Sequence, residues 1–122
     1  MADRSYELHG TMVLELSAEG PQLRTDRDAV DLVGKAYEQQ ARVLVIPTAR
    51  LTGDFFQLKT RVAGEMLHRL VLYKLRVAIL GDVSRYTEES ISFRDFVIES
   101  NRGNQIWFVS SVEELGEKLS QA

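Results

Sequence analysis

The side chains best suited to contact a ligand are Lys59 and Asp82. Lys59 could bind an anion or a phosphate, and Asp82 could bind a cation or hold a loop. Each also has an ordinary structural role, because a lysine stem can cover apolar surface and aspartate is common in turns. Asp54 and Thr60 belong to the same group, and aspartate is among the residues that most often cap a helix. A small enzyme or a ligand-binding protein would use these four residues.

No pattern in the sequence predicts a catalytic residue, a metal site or a cofactor. The two histidines, His9 and His68, have no acidic neighbours at the spacing of a zinc or di-metal motif. No glycine-rich phosphate loop precedes a helix, and no nucleophile-elbow pattern is present. The chain has no cysteines, which excludes thiolate nucleophiles, disulfides and cysteine metal sites. An enzyme is therefore the less favoured class of function.

Two further groups of polar residues are candidates for binding. The first would follow one face of a helix and form a contact with a partner or a second copy of the chain, although a solvated face is the more ordinary role. Its members are Arg61, Gly64, Glu65, His68 and Leu72. The second would lie where helices end and would hydrogen-bond loop backbone. Its members are Tyr73, Glu99, Ser100 and Asn101.

Gly64 is predicted to lie inside a helix, where glycine costs about 1 kcal/mol relative to alanine. We expect the close approach of another backbone to offset this cost, and a partner helix packing across Gly64 is the functional alternative. Glu65 is expected to form a salt bridge with Arg61 or Arg69 at a spacing of four residues.

Hydrophobic patterns and capping residues place these candidates on alternating strands and helices. Strands are predicted at about 6–9, 12–16, 43–46, 75–80 and 105–109. Helices are predicted at about 25–40 and 54–73, from Ser90 or Ser92 to a left-handed Gly103, and from Ser110 or Ser111 onward, with a loop at 83–89. The capping pairs are Thr25 with Asp28 and Asp54 with Gln57, and at the last helix Ser110 with Glu113 or Ser111 with Glu114.

This order predicts a single α/β domain over residues 1–122, with fraying at 1–4 and 120–122. Its mixed, mostly parallel sheet would have about four or five strands flanked by four helices. In such a sheet all parallel strands end at one edge, here called the carboxyl edge, and begin at the other, the amino edge. A helix of about 12 residues separates the two edges by about 18 Å. Lys59 and Asp82 are expected at the carboxyl edge, and Tyr73 and Glu99 at the amino edge.

Several spaced motifs resemble a small bacterial family that is catalogued as a domain of unknown function. The motifs are Phe55-Phe56-Gln57-Leu58-Lys59-Thr60, Ala63-Gly64-Glu65, Tyr73, Ala78-Ile79-Leu80-Gly81-Asp82 and Asp95-Phe96-Val97-Ile98-Glu99-Ser100-Asn101. The match extends from about Leu32 to Leu119 and implies no known activity. The chain departs from the family pattern at Arg61, His68 and Leu72, where a small residue, an amide and an asparagine are usual.

The predicted strand order also resembles the STAS (anti-sigma-factor antagonist) fold, a small α/β module of bacterial regulation. Such modules carry a phosphorylatable serine or threonine near the start of the second helix. This resemblance implies Thr48, Thr52 or Thr60 as candidates here. A phosphate close to a helix N-terminus is electrostatically tolerated.

Composition limits the partners and the compartment. The net charge of −3 over 122 residues argues against a nucleic-acid partner. The apolar runs are far shorter than the ~20 residues that span a bilayer, so no membrane contact is expected. The absence of cysteine fits a reducing cytoplasm. We therefore favour a non-enzymatic regulatory or protein-binding module of the cytoplasm, with an unknown protein partner or a homodimer.

Overall fold

The computed structural model describes residues 2–122, which form five strands and five α-helices. The strands are β1 (Arg4–Leu8), β2 (Thr11–Glu15), β3 (Val43–Pro47), β4 (Arg76–Leu80) and β5 (Ile106–Val109). The helices are α1 (Asp26–Glu38), α2 (Val62–Leu72), α3 (Ser84–Glu89), α4 (Ile91–Arg102) and α5 (Val112–Gln121). The predicted single α/β domain is confirmed. The first element begins at Arg4 and the last ends at Gln121. Met1 lies outside the described residues.

The five strands form one sheet in the order β1-β2-β3-β4-β5. β1 pairs antiparallel with β2, and each later pairing is parallel. The sheet is therefore mixed and mostly parallel, as predicted. Because strand order follows chain order and such crossovers are right-handed, the crossover helices α1, α2 and α4 share one face of the sheet.

The two faces of the sheet are buried against different helices. On the front face, Leu32, Leu70 and Phe93 of the crossover helices pack in one cluster with side chains of β2 to β5. On the back face, Leu115 and Leu119 of α5 pack in a second cluster that includes Trp107, and no other helix of residues 2–122 contributes to it. Alternate residues of the core strands enter opposite clusters, which explains why β3 is buried at all five positions.

The predicted caps of α1, α4 and α5 are confirmed. The Thr25 side chain accepts a hydrogen bond from the Asp28 N–H, and Asp28 accepts one from the Thr25 N–H. The hydrogen bond from the Arg24 N–H is the main cause of a lowered pKa of Asp28. Ser90 accepts from the Phe93 N–H, and Ser111 accepts from the Glu114 N–H. These caps could be predicted because each capping side chain and the N–H group that it accepts from are only three residues apart.

The predicted helix start at Asp54 is wrong, because α2 begins at Val62. The segment before it consists of 3-10 turns at Gly53–Phe56 and Leu58–Thr60. The Thr60 hydroxyl lies 2.6 Å from the Asp54 carbonyl oxygen and 2.8 Å from that of Gln57, and so takes acceptors that an α-helix would need. Arg61 is left-handed, with φ at 66°, and it separates the turns from the helix.

Two further boundaries differ from the prediction. Residues 84–89 form α3 rather than a loop, so there are five α-helices in residues 2–122 instead of the four predicted. Tyr86 explains this helix, because its ring packs on the buried Phe56 and Phe93 and holds the segment against the core. Gly103 ends α4 in an extended conformation, with φ at −89°, so it is not the left-handed terminator that was predicted.

Candidate functional site

A cleft of about 560 Å³ lies at the carboxyl edge, between the 3-10 turns that follow β3 and the segment that follows β4. We call it the aromatic cleft; it is lined by Gly53, Phe56, Gln57, Leu58, Lys59, Arg85, Tyr86, Glu89, Ser90 and Ser92. Ligand crevices in open α/β sheets usually form where the strand order reverses, and this order does not reverse. The cleft therefore exists because α3 and the turns stand above the sheet.

The aromatic cleft combines a stacked aromatic pair with two cations and one carboxylate. The rings of Phe56 and Tyr86 are nearly parallel, at 6°, with centroids 4.0 Å apart. The Arg85 guanidinium lies 5.5 Å from the centroid of the Tyr86 ring, which is cation–π distance. Lys59 lines the opposite wall and is exposed, and Glu89 supplies the carboxylate.

The structure separates Lys59 from the three residues that were predicted to act with it. Asp82 does not line the cleft. Its carboxylate accepts a hydrogen bond from the Ser84 N–H at 2.9 Å, and hydrogen bonding to the Ser84 side chain and backbone lowers the pKa of Asp82. Asp54 is exposed, and the Thr60 hydroxyl is engaged by backbone carbonyls. Of the four, only Lys59 faces a cavity.

The three candidate threonines do not present free hydroxyl groups. The Thr48 side chain lies against Gly81, where even a β-carbon would collide with it. The Thr52 Oγ1 atom is buried and, among residues 2–122, has no hydrogen-bond partner. Thr60 is held by the carbonyls of its own turn. Of the three, Thr52 is the one whose hydroxyl oxygen is buried, whereas Thr48 and Thr60 are half-buried.

The predicted interface forms a continuous exposed stripe on and just before α2. All five of its residues are exposed: Arg61, Gly64, Glu65, His68 and Leu72. The expected close approach at Gly64 is wrong within this chain, because no atom lies within 4 Å of where a β-carbon would stand. Arg69 bonds Asp26 of α1, at 2.9 and 3.0 Å, rather than Glu65. The neighbouring helix supplies a better-placed carboxylate than the same helix does.

Two adjoining depressions mark the amino edge of the sheet. One, of about 660 Å³, lies between the ends of α1 and α2, and the other, of about 500 Å³, lies between α2 and the start of β5. They share Lys74 and Leu75. We call their exposed lining the basic rim; it consists of Tyr37, Gln40, Arg42, His68, Leu72, Tyr73, Lys74, Arg76, Asn104 and Gln105.

The basic rim contains three cations and no carboxylate. Arg42, Lys74 and Arg76 form no ion pair with any residue of the described chain. Arg76 instead lies over the Trp107 ring, 5.9 Å from its centroid. A third depression continues from Asn104 and adds Arg102 and Lys118. This concentration of positive charge stands on a chain whose net charge is −3.

Apolar side chains are exposed on the same rim. Tyr37 is 56% exposed, Leu72 58% and Tyr73 40%. The two tyrosine rings meet edge to face at 6.5 Å, and the Tyr37 hydroxyl donates a hydrogen bond to the Tyr73 carbonyl oxygen. Leu72 and His68 of the predicted interface therefore join Tyr73, which was predicted to belong to another group.

The rest of the second polar group has a structural role at β5. Asn101 accepts a hydrogen bond from the Phe108 N–H at 2.8 Å, as expected for a residue that bonds backbone. Glu99 pairs with Arg102, and the Ser100 carbonyl accepts from the Gly103 N–H. These residues share the amino edge with Tyr73 but line a different part of it.

Arg42, Lys74 and Arg76, which define the basic rim, were not predicted as candidates. A usable signal was present, because Arg42 and Lys74 directly precede predicted strands and Arg76 is the second residue of one. Parallel strands begin at the same edge, so basic residues at successive strand starts must collect there. Arg85 and Tyr86 of the aromatic cleft were missed because residues 83–89 were predicted to be a loop.

Comparison with known families gives a match over most of the chain. The profile of the family described as "Domain of unknown function (DUF4180)" matches residues 8–119. The chain belongs to this family. The match covers both edges of the sheet, and so it includes the aromatic cleft and the basic rim of this DUF4180 domain. No curated protein and no solved structure was found to match it.

The described residues contain neither a group of side chains suited to a metal ion nor a helix that could span a membrane. Within residues 2–122 no three histidine, cysteine or acidic side chains are grouped so that they could hold a metal ion. No helix in the same part of the chain is long and apolar enough to cross a bilayer.

Proposed function

We propose that this protein is a non-enzymatic binding module that docks an acidic segment of a protein partner along its basic rim. The observation that carries the proposal is the set of three unpaired cations, without a carboxylate, beside exposed Leu72 and Tyr73. Arg42, Lys74 and Arg76 form no ion pair within the described residues, so their charges are available to a partner.

The cations are suited to carboxylates. Arginine presents N–H groups in a fixed fork that matches a carboxylate, and lysine adds a mobile point charge. Arg42 directly precedes β3 and Arg76 begins the neighbouring β4, where it pairs with Val43. Lys74 lines both depressions, Arg42 lines one and Arg76 the other, so an acidic segment that follows the edge would pass all three charges.

The apolar side chains favour a protein over a nucleic acid. Aromatic residues are enriched at the centres of protein interfaces, where a few of them provide most of the binding energy. Leu72 adds exposed aliphatic surface beside the two tyrosines. Three free cations are also few for a phosphate backbone on a chain with net charge −3.

A regulatory role in the cytoplasm is part of this proposal. The resemblance to STAS modules supports the regulatory role. The chain has no cysteine and so no disulfide, which is compatible with a reducing compartment. A module of this kind would act by occupying a partner's acidic segment.

The proposal is tested with a fluorescent peptide that alternates glutamate with leucine and tyrosine. We expect the double variant K74E/R76E to bind it at least about tenfold more weakly than the wild type, because two attractions become repulsions. Raising the salt concentration should weaken wild-type binding and leave the variant nearly unchanged.

The matched control is R24E/R27E, which makes the same change of charge at exposed positions near the start of α1, at the opposite edge. It should bind the peptide within about twofold of the wild type, because those sites lie beyond the screening length. Equal losses of peptide affinity in K74E/R76E and R24E/R27E would mean that binding depends only on net charge, and would contradict the proposal. Tighter binding of a single-stranded RNA of equal charge would contradict it as well. A salt-sensitive dimer in sedimentation, lost in K74E/R76E, would assign the rim to a second copy of the chain.

A further inference from the structure

We infer that the aromatic cleft is a separate site for a small organic anion with a flat apolar body. The cleft lies at the carboxyl edge, whereas the basic rim lies at the amino edge. The inference therefore goes beyond the proposed docking function. The volume of the aromatic cleft, about 560 Å³, is within the range of small-molecule sites.

The flat apolar body is indicated by the wall of the cleft. Phe56 is 3% exposed and belongs to the core, so its ring is fixed. Tyr86 stacks on it and also meets Phe93 edge to face at 6.5 Å, so two core rings hold its position. The two rings cover each other's faces, so an apolar group in the cleft would contact their edges. This contact has little entropic cost, because both side chains are already ordered.

The negative charge is indicated by Lys59 and Arg85. They stand on different segments, the turn after β3 and helix α3, and both face the same cavity. Neither forms an ion pair with another residue in the described part of the chain. Two cations against one carboxylate leave a net positive charge for an anionic group to neutralise.

Glu89 restricts the ligand further. Its carboxylate lines the same cavity, so a second anionic group placed beside it would be repelled. A hydroxyl or amino group at that position would instead donate a hydrogen bond to it. The preferred ligand is therefore a monoanion with its charge at one end and a hydrogen-bond donor away from that charge.

Gly53 offers a way to close the cleft without damaging the fold. It lines the cavity, no atom lies within 4 Å of the position of an added β-carbon, and its backbone is not left-handed. A leucine at this position would thus fill space that a ligand would otherwise occupy. Gly64 is equally open but lies on the exposed face of α2.

The test uses anilinonaphthalene sulfonate, a flat aromatic monoanion whose fluorescence rises in apolar surroundings. We expect saturable binding of one molecule per chain, weakened about tenfold or more in K59Q/R85Q and in G53L. Phenylnaphthylamine, which has the same aromatic body without the sulfonate, should bind the wild type about tenfold more weakly than the anion. Melting temperatures are measured for every variant, to confirm that each one is folded.

The controls are G64L and R42Q/K74Q, both of which should bind the probe as the wild type does. Equal affinity of wild type and G53L would overturn the inference, because the probe would then lie elsewhere. Equal affinity for the charged and neutral probes would overturn the anionic part of it. Failure of the probe to saturate at millimolar concentration would overturn the site altogether. None of these outcomes affects the basic rim, because the cleft variants leave its residues unchanged.

Discussion

Gly64 has no side chain at a position where the fold leaves room for one. It lies in the first half of α2 on the exposed side, and no atom of the chain comes within 4 Å of where a β-carbon would stand. Gly81 is the opposite case, because its φ of +143° suits glycine alone and the Thr48 side chain fills the space beside it. The same residue type is therefore required at one position and optional at the other.

Replacing Gly64 with alanine should raise the free energy of unfolding by about 0.5–1 kcal/mol, because alanine restricts the unfolded chain and favours helix. Urea denaturation followed by circular dichroism measures the change. Gly81→Ala is the control, and it should destabilise by at least about 1 kcal/mol. A loss of stability in Gly64→Ala would mean that the surface of α2 is not open.

Strand β5 is the outer strand of the parallel part of the sheet, and its free side is covered by side chains. The carbonyls of Gln105 and Val109 accept hydrogen bonds from β4 and the residue after it, so the N–H of Phe108, at the alternate position, points away from β4. Asn101 of α4 accepts from that N–H, and Glu114 accepts from the N–H of Ser110. An edge strand is in this way prevented from pairing with another chain.

Removing the amide of Asn101 should lower the free energy of unfolding by about 1–3 kcal/mol, because a half-buried backbone N–H is left without an acceptor. Asn101→Ala should also increase self-association, detected by light scattering at rising concentration. Asn101→Asp keeps an accepting oxygen and should retain most of the stability. Asn104→Ala, an exposed amide in the preceding loop, should change neither property.

Charge is divided between the two edges of the whole molecule by the direction of its helices. Helices stabilise acidic residues in the first turn and basic residues in the last turn. The first turns carry Asp26, Asp28, Glu113 and Glu114, and the last turns carry Lys35, Arg69, Arg102 and Lys118. Because these helices run antiparallel to the parallel strands, Asp28, Glu113 and Glu114 lie at the carboxyl edge and Arg102 and Lys118 at the amino edge. The long side chains of Lys35 and Arg69 instead reach back to Asp3 and Asp26. The basic rim extends a polarity that the fold already has.

The back face of the sheet depends on one helix. Leu115 of α5 is completely buried and packs in the cluster that contains Trp107. Leu115→Ala should therefore lower the free energy of unfolding by about 2–5 kcal/mol. The sole tryptophan reports the loss by fluorescence, and circular dichroism should give the same midpoint if the domain unfolds as one unit.

The control for this prediction is Ile98→Ala on α4. Ile98 is 42% exposed, so its loss should cost less than about 1 kcal/mol. Separate midpoints for the two probes in the Leu115 variant would show that the back of the sheet unfolds independently of the front.

Local patterns predicted most of the fold, and long-range contacts account for the errors. The strand at 43–46 and the capping box of Thr25 and Asp28 depend on neighbouring residues, and both were found as expected. The left-handed Arg61 was not predictable, because arginine has no local preference for that conformation. Arg50 was not predicted to be buried, because the carbonyls of Ser17 and Pro21 that accept its hydrogen bonds lie about thirty positions earlier.

For the candidate site, the sequence predicted at which edge of the sheet a residue such as Lys59 lies, but not which residues line a common cavity. Lys59 was correctly expected at the carboxyl edge, because parallel strands fix which end of each segment faces which edge. Its cavity depends on Tyr86 stacking with Phe56, a contact across thirty positions that no local pattern contains. Because this contact was not predicted, Asp82 and Lys59 were expected to share a site only on the ground that both lie at the carboxyl edge.

The sequential strand order bears on how the domain is made at the ribosome. Each strand pairs with the one synthesised just before it, so the sheet can lengthen as the chain emerges. Helix α5 is the exception, because it comes last in the domain and turns back to lie near His9, beside the first hairpin. Until α5 emerges, Val13, Val43 and Val45 remain bare on the nascent domain. Burial of the back face of the sheet therefore waits until α5 has been synthesised.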